Sequence, residues 1–474
     1  MQRDLRSRHS LKSALIGDRA FYAMVLSILI PIIIQNAISS FVNLLDKIMV
    51  GQVGTEQMSG VSIANQLMFV FNLCVFGGIS GAGIFSAQYC GANDQEGVRH
   101  CFRFKLYMCA FLIAVALVTF LAGGKFLITR FLHDEANADR VDVTLSHGLR
   151  YLHIMLFSML PFALTQVYAG TLRESGETRL PMYAGIAAVF VNLVFNYLLI
   201  FGHFGFPKLG VEGAAIATVL SRYVELAIVA VRTHAKPGKY RFVRGLYRSL
   251  RVPPQLARNI IVKGLPLLVN ECLWSLGMTT LAQCYSVRGL DVVAAMNISN
   301  TISNLFAVTF LSMGGATAIV VGQSLGANDM AGAKDKAWKL LAFAVMISIG
   351  TLLVMLVVTP LIPRVYRTTD EVRALATNLL RIYALCMPLF AFCHSAYFVL
   401  RSGGKTMITF WFDSGYTWLI SVPIAWCLVH LTGASVTVIY LCVQLADIIK
   451  CVFGYYLVQK GIWMNNMVGG SQSA

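Results

Sequence analysis

Twelve apolar runs, most of them long enough to cross a bilayer, constrain this chain more than any other feature. They lie near 21–50, 58–90, 103–122, 149–172, 181–202, 212–232, 260–285, 292–325, 338–362, 376–400, 407–430 and 434–458. A spanning helix needs about 20 apolar residues. The expectation is an all-α integral membrane protein with twelve transmembrane helices. The run at 292–325 is long and contains glycines, so a tilted or bent helix is expected there. Charged residues make up only 13% of the chain, against roughly 25% in a soluble domain. That excludes a soluble enzyme, a disordered scaffold and a secreted disulfide module.

Charge gives the orientation. The net charge of +16 would suit nucleic acid if it covered one face, but the excess is confined to one set of loops, so no nucleic-acid partner is expected. With the N-terminus placed inside, the inner segments hold 26 Lys and Arg and the outer segments 9. The positive-inside bias then places both termini in the cytoplasm. The polar start, with Arg3, Arg6, Arg8 and Lys12, leads into a first run too long for a cleavable signal. Eleven cysteines sit mostly in apolar runs without a C-x-x-C pair, and read as small hydrophobes.

From Arg232 to Lys263 there are nine Lys or Arg and no Asp or Glu, together with Pro237, Gly238 and Pro253-Pro254. This is the expected linker. It divides the chain into an N-terminal six-helix lobe (1–235), a basic cytoplasmic linker (236–258) and a C-terminal six-helix lobe (259–474). An internal repeat supports the division. Gln88-Tyr-Cys-Gly91-Ala92-Asn93-Asp94 returns as Gln323-Ser-Leu-Gly326-Ala327-Asn328-Asp329, and the same offset pairs Pro31 with Pro266. Leu172-Arg173-x-x-Gly176-x-Thr178 returns as Leu400-Arg401-x-x-Gly404-x-Thr406. An even number of spans per copy gives both lobes one orientation, with a pseudo-two-fold axis along the membrane normal and a substrate expected near the midplane.

Ionisable groups within spans are costly and mark function by default. Asp46 stands in the outer half of the first span. Asn192 and Asn196, one turn apart in the fifth, share a face. Thr218 lies about 12 Å inward on the sixth. One carboxylate, two amides and a hydroxyl offer oxygen ligands for sodium, and a desolvated Asp offers a proton site; a plain interhelical hydrogen-bond set is the competing reading. Asp46 maps onto Leu281 and Asn192 onto Ile420 in the other half, so this constellation belongs to one lobe. In the C-terminal half Glu271 falls near the midplane, and His394 lies inside the tenth span; they are candidates for substrate binding or a second proton site. Asp413 is expected to cap or pair with a loop. Arg222 with Glu225, and Asp447 with Lys450, are expected to neutralise each other at i,i+3.

No catalytic motif is evident, and no enzyme or cofactor is expected. Gly404-Lys405-Thr406 looks like the end of a phosphate-binding loop, but Val399 stands where the first glycine belongs. It reads as a tight turn.

Several stretches together resemble the multidrug and toxic compound extrusion (MATE) family over nearly the whole chain. They are Leu45-Asp46-x-x-x-Val50-Gly51-x-x-Gly54, Gln88-x-x-Gly91-Ala92, Leu172-Arg173-x-x-Gly176-x-Thr178-Arg179-x-Pro181 and Gly210-Val-x-Gly213-Ala214-Ala215-x-Ala217-Thr218. The resemblance implies a secondary antiporter that exports cationic amphipathic compounds in exchange for protons or sodium ions. It implies a cation site at Asp46, Asn192, Asn196 and Thr218. Some members of that family carry Asp at the position of Asn196, and some use a span-seven Glu with a span-ten Asp; here the tenth span has His394 instead. A monomer in the plasma membrane is expected. The alternatives are a lipid-linked oligosaccharide flippase, disfavoured by the scarcity of Lys and Arg within spans, and an integral-membrane transferase, for which only the Asn93-Asp94 and Asn328-Asp329 turns offer ligands.

Overall fold

A computed structural model describes residues 15–130, 138–361, 363, 366 and 368–469. The basic start with Arg3, Arg6, Arg8 and Lys12 lies outside the described residues. The described chain is all α, and twelve helices are long and apolar enough to span a membrane. They are α1 (Arg19–Gly51), α2 (Thr55–Gly91), α3 (Gln95–Thr129), α4 (Ala138–Glu174), α5 (Arg179–Phe201), α6 (Val211–Ala235), α7 (Pro254–Ser286), α8 (Leu290–Gly326), α9 (Met330–Val358), α10 (Asp370–Ser402), α11 (Thr406–Leu431) and α12 (Val436–Lys460). Many run well beyond the apolar run that predicts them. Within α11, Trp411–Gly415 and Thr417–Ser421 are wound as π-helix, a local underwinding that tends to occur at functional positions.

The chain forms two compact units. The N-terminal unit comprises Ile34–Ser86 and Asp94–Gly264, so the basic segment 236–258 belongs wholly to it. The C-terminal unit comprises the described residues from Leu265 onward, Ala87–Asn93 and the described residues up to Ile33. The division therefore falls inside α1 beside Pro31 and inside α7 beside Pro266. These are the two prolines that the repeat makes equivalent. Each removes one backbone hydrogen bond from a helix interior.

The repeated turns have a physical reason to be repeated. In the C-terminal unit the two Gln-x-x-Gly copies meet. A Cβ on Gly91 would lie 1.9 Å from the Gln323 carbonyl oxygen, and one on Gly326 1.9 Å from that of Gln88. No other residue allows that approach. Asn93 and Asn328 then take left-handed backbone conformations, φ 61° and 60°. Each following Asp caps the next helix: Asp94 Oδ1 accepts from the Glu96 and Gly97 amides, both at 3.0 Å, and Asp329 Oδ1 from the Gly332 amide at 2.9 Å. Both carboxylates of the transferase alternative are thus used as caps. The second repeated motif ends in Gly176 and Gly404 at φ 87° and 72°, so the phosphate-loop lookalike is a tight turn, as expected.

In the N-terminal unit, fully buried Lys105 on α3 donates to both Glu174 oxygens on α4 at 2.8 and 2.6 Å, and to Thr171 Oγ1 at 3.2 Å. Removing one partner of such a pair leaves an uncompensated buried charge, at about 3–5 kcal/mol.

Candidate cation site and a second polar cluster

Glycines let three helices of the N-terminal unit converge. A Cβ on Gly185 of α5 would lie 3.1 Å from Gln35 Nε2 of α1. One on Gly213 of α6 would lie 2.6 Å from the Leu199 carbonyl oxygen of α5. With α1, α5 and α6 this close, Asp46, Asn192, Asn196 and Thr218 come together. Asn196 is 1% exposed and Asn192 6%. Asn196 Nδ2 donates to Asp46 Oδ1 at 2.6 Å and to Asn192 Oδ1 at 3.1 Å. Asn192 Nδ2 donates to Thr218 Oγ1 at 3.3 Å, and that hydroxyl donates to the Ala214 carbonyl at 3.0 Å.

One contact in this set does not close. The Asn192 amide atom that faces Asp46 lies 3.0 and 3.2 Å from the two carboxylate oxygens and 3.1 Å from Asn196 Nδ2. If that atom is oxygen, it satisfies Asn196 but opposes two acceptors. If the amide turns over, the nitrogen satisfies the carboxylate but opposes a donor. A proton on Asp46 removes the conflict, because the carboxyl O–H then donates to Asn192 Oδ1. A cation held among the oxygens removes it equally. Asn196 Oδ1 is a further buried oxygen that accepts no hydrogen bond from any described residue. The donor set is therefore all oxygen, as a hard cation requires. Arg222, one turn beyond Thr218, lies within electrostatic range of Asp46. It is paired with Glu225 at 3.0 Å, as its spacing predicts, and lies over the Phe162 ring.

The C-terminal unit holds a different arrangement. Lys450 of α12 donates to Asp413 Oδ1 at 2.8 Å, and Asn270 of α7 donates to Asp413 Oδ2 at 3.2 Å. Ser414 returns two hydrogen bonds to Asn270 Oδ1, from its amide at 3.2 Å and its hydroxyl at 2.8 Å. This corrects two expectations. Asp413 is not a cap or loop partner but the centre of a cluster, set in the π-helical turn of α11. Lys450 turns to it rather than forming the i,i+3 bridge to Asp447. The Phe412 and Tyr416 rings lie 5.3 and 5.7 Å from the ammonium and favour that placement.

Glu271 sits beside Asn270 within electrostatic range of Arg401 and Asp413. It makes no hydrogen bond or ion pair with a described residue. His394 packs edge-on against Phe310 and Phe398, with ring centroids 6.2 and 5.0 Å away, over Gly314. Glu271 and His394 form no hydrogen bond or ion pair with each other. The sequence reading passed over Asn270, although a lone amide in an apolar run was its available signal.

Comparison with known proteins adds the family. The MatE family model matches residues 31–198 and 266–427. The chain belongs to the MatE family. It is therefore a multi-pass membrane transporter of the MATE type. Among similar curated proteins, a probable multidrug resistance protein NorM of Thermotoga maritima is 24% identical over 410 residues, covering 85% of each chain. A probable multidrug resistance protein YoeA of Bacillus subtilis is 25% identical over 447 residues, covering 93% of this MATE transporter and 94% of the relative. Among solved structures, an outward-facing multidrug resistance MATE family transporter of the MOP superfamily aligns with TM-score 0.84 at 21% identity, over 94% of this chain and 98% of that one. A MOP superfamily transporter from Pyrococcus furiosus, whose reversed pocket polarity suggests a different function, aligns with TM-score 0.78 at 19% identity, over 94% and 96%. At these identities the structures speak for the fold alone.

Proposed function

We propose that this MATE transporter is an ion-gradient-driven antiporter that exports cationic, amphipathic compounds in exchange for protons or sodium ions. It works as a monomer in the plasma membrane, with both termini cytoplasmic. The observation that carries the coupling is the unresolved contact between Asp46 and Asn192. A site whose neighbours conflict while its carboxylate is bare, and agree once it gains a proton or a cation, has two states that an ion can bias. Asp46, Asn192 and Asn196 supply oxygens for sodium as cargo, with the Thr218 hydroxyl beside them. In the proton reading Asp46 carries the proton and Asn192 Oδ1 accepts its hydrogen bond. Coupling then requires that ion and substrate each have different affinities for the two states.

Glu271 is assigned to substrate attraction, being a carboxylate near the midplane of the C-terminal unit that makes no hydrogen bond or ion pair with a described residue. Asp413 is excluded from that role by Lys450. The names of the curated relatives support multidrug substrates for this chain.

The test is efflux from bacteria lacking their own pumps. Ethidium accumulation is followed for the wild type, Asp46→Asn and Glu271→Gln, with and without sodium and with a protonophore. Export by the wild type that Asp46→Asn abolishes supports the reading. A wild type that reaches the membrane and exports nothing sinks it, as does full ion-coupled efflux by Asp46→Asn at normal expression.

A further inference from the structure

The segment between α6 and α7 carries six Lys or Arg from Lys236 to Arg251 and no acidic residue, and it is folded rather than slack. After α6 the chain turns on the Lys236 carbonyl, which accepts from the Lys239 and Tyr240 amides, both at 3.0 Å. A single 3-10 turn follows at Arg241–Val243. Tyr240, Phe242, Val243 and Leu246 are buried. Three residues of α3 hold the backbone. Arg99 donates to the Phe242 carbonyl at 3.3 Å, Arg103 to that of Leu246 at 3.0 Å and Tyr107 to that of Leu250 at 2.9 Å. These anchors are spaced one turn apart. The segment therefore runs along one face of α3 for about 12 Å.

The direction of that run matters. α3 has 35 residues, about 52 Å of helix, well beyond a hydrocarbon core of about 30 Å. Between Lys105 and Lys125 it carries no charge, and Phe111 and Val118 are 63% and 69% exposed, as on a lipid-facing helix. Tyr107, at the start of this apolar stretch, marks the interface. The segment thus descends from the polar end of α3 to the level where hydrocarbon begins. At that level Leu250 is 51% exposed, beside Arg248 and Arg251; Tyr247, equally exposed, lies a turn nearer the polar end, its hydroxyl hydrogen-bonded to Tyr168 and its ring stacked on His234.

Arg241, Arg244, Arg248 and Arg251 are exposed and form no ion pair with a described residue. Lys239 is already engaged: its hydrogen bond from the ammonium to Glu177 holds it above the usual lysine range. These four guanidinium groups, of which Arg244 also donates to the Pro237 carbonyl at 3.1 Å, are spread along the segment and do not converge on one small anion. They suit a row of separate phosphates above an apolar boundary, with an exposed leucine at the boundary.

We propose that residues 240–251 form a docking shelf for the headgroups of anionic phospholipids, with Arg241, Arg244, Arg248 and Arg251 on the phosphates and Leu250 at the acyl boundary. The inference stands apart from the transport reading; it requires only that α3 spans the membrane. The test uses the full-length protein in mild non-ionic detergent. Native mass spectrometry follows retention of phosphatidylglycerol and of phosphatidylcholine with matched acyl chains. The wild type is expected to retain phosphatidylglycerol preferentially. Arg244→Gln with Arg248→Gln and Arg251→Gln is expected to weaken that retention on the order of a hundredfold, from roughly fivefold per surface charge. The corresponding triple lysine variant keeps most of it, because point charge suffices. Single Arg248→Gln, expected to lose about fivefold, serves if the triple glutamine variant does not fold. Excess inorganic phosphate leaves the lipid in place. Equal retention of the two lipids, unchanged retention in the glutamine variants, or displacement by phosphate overturns the proposal. The last outcome would indicate a simple anion site.

Discussion

Replacing Asp46 by Asn separates the architecture of the cation site from its chemistry. The amide oxygen can take the place of Asp46 Oδ1, 2.6 Å from Asn196 Nδ2. The amide nitrogen can take the place of Oδ2, 3.2 Å from the facing oxygen of Asn192. Both neighbours are then satisfied without a proton or a cation. A neutral buried hydrogen bond contributes about 0.5–1.5 kcal/mol, so the substitution should leave stability within about 1 kcal/mol of the wild type. Asp46→Leu offers neither donor nor acceptor. It strands a buried amide hydrogen of Asn196, at about 1–3 kcal/mol, and should lower the melting midpoint by a few degrees. Ion coupling should vanish in both, with ethidium accumulation equal to that of cells without the transporter. The assay pairs thermal unfolding of purified protein with dye accumulation at matched membrane abundance. If Asp46→Asn destabilises as much as Asp46→Leu, the neutral-acid geometry is wrong. If it extrudes dye against a gradient that a protonophore or sodium removal still controls, Asp46 is not the coupling group.

Other expectations follow from the same geometry. Gly91→Ala and Gly326→Ala each force a Cβ to 1.9 Å from a carbonyl oxygen; both should cost more than the usual 1–3 kcal/mol of overpacking, read as loss of folded protein by fluorescence-detected gel filtration. Lys450→Met strips Asp413 of its cation and should cost about 3–5 kcal/mol, while adding Asp413→Leu should recover much of it; no recovery of the melting midpoint argues against the pairing. Asn192→Leu removes the acceptor for a protonated Asp46, and should weaken ion-driven efflux in vesicles while leaving detergent binding of the dye within about twofold, as judged by fluorescence polarisation. Gly404→Ala adds a side chain at φ 72° and should cost about 1–2 kcal/mol without changing any nucleotide binding, since the turn at Gly404 is not a phosphate loop.

The fold was legible because the bilayer leaves few choices. Twelve apolar runs lead to twelve helices, and the two repeated motifs correctly pair Gly91 with Gly326 and Gly176 with Gly404. Helix ends were less legible, because polar turns such as Gln95–Lys105 continue α3 outside the hydrocarbon and carry no apolar signal. Site residues divided by the kind of evidence they offered. Asp46, Asn192, Asn196 and Thr218 sit in three spans at similar depth, and depth is readable along a helix. Which way Lys450 turns is not readable, because i,i+3 spacing proposes Asp447 while the choice of Asp413 depends on how α11 and α12 pack. Likewise Asn270 beside Glu271 differ by one position, about 100° around the helix. Only packing decides that the amide, and not the carboxylate, reaches Asp413.

The repeat also sharpens what the asymmetry means. Both halves inherit the same frame: the proline near the start, the glycine crossing, the capped Asn-Asp turn and the left-handed glycine. Duplication therefore supplies the scaffold, and the differences between halves supply chemistry. In the N-terminal unit a carboxylate faces neutral amides and a hydroxyl, so its charge has no counterion bonded to it. In the C-terminal unit Asp413 is bonded to Lys450, and that pair is complete without an added ion. A gradient can do work only through a group whose charge state changes the fit of its neighbours. Asp46 meets that condition and Asp413 does not, because displacing Lys450 would cost more than a neutral-pH proton can return. In the antiport proposed above, the coupling ion therefore acts on the N-terminal half, while the Asp413–Lys450 pair of the other half is complete without an ion.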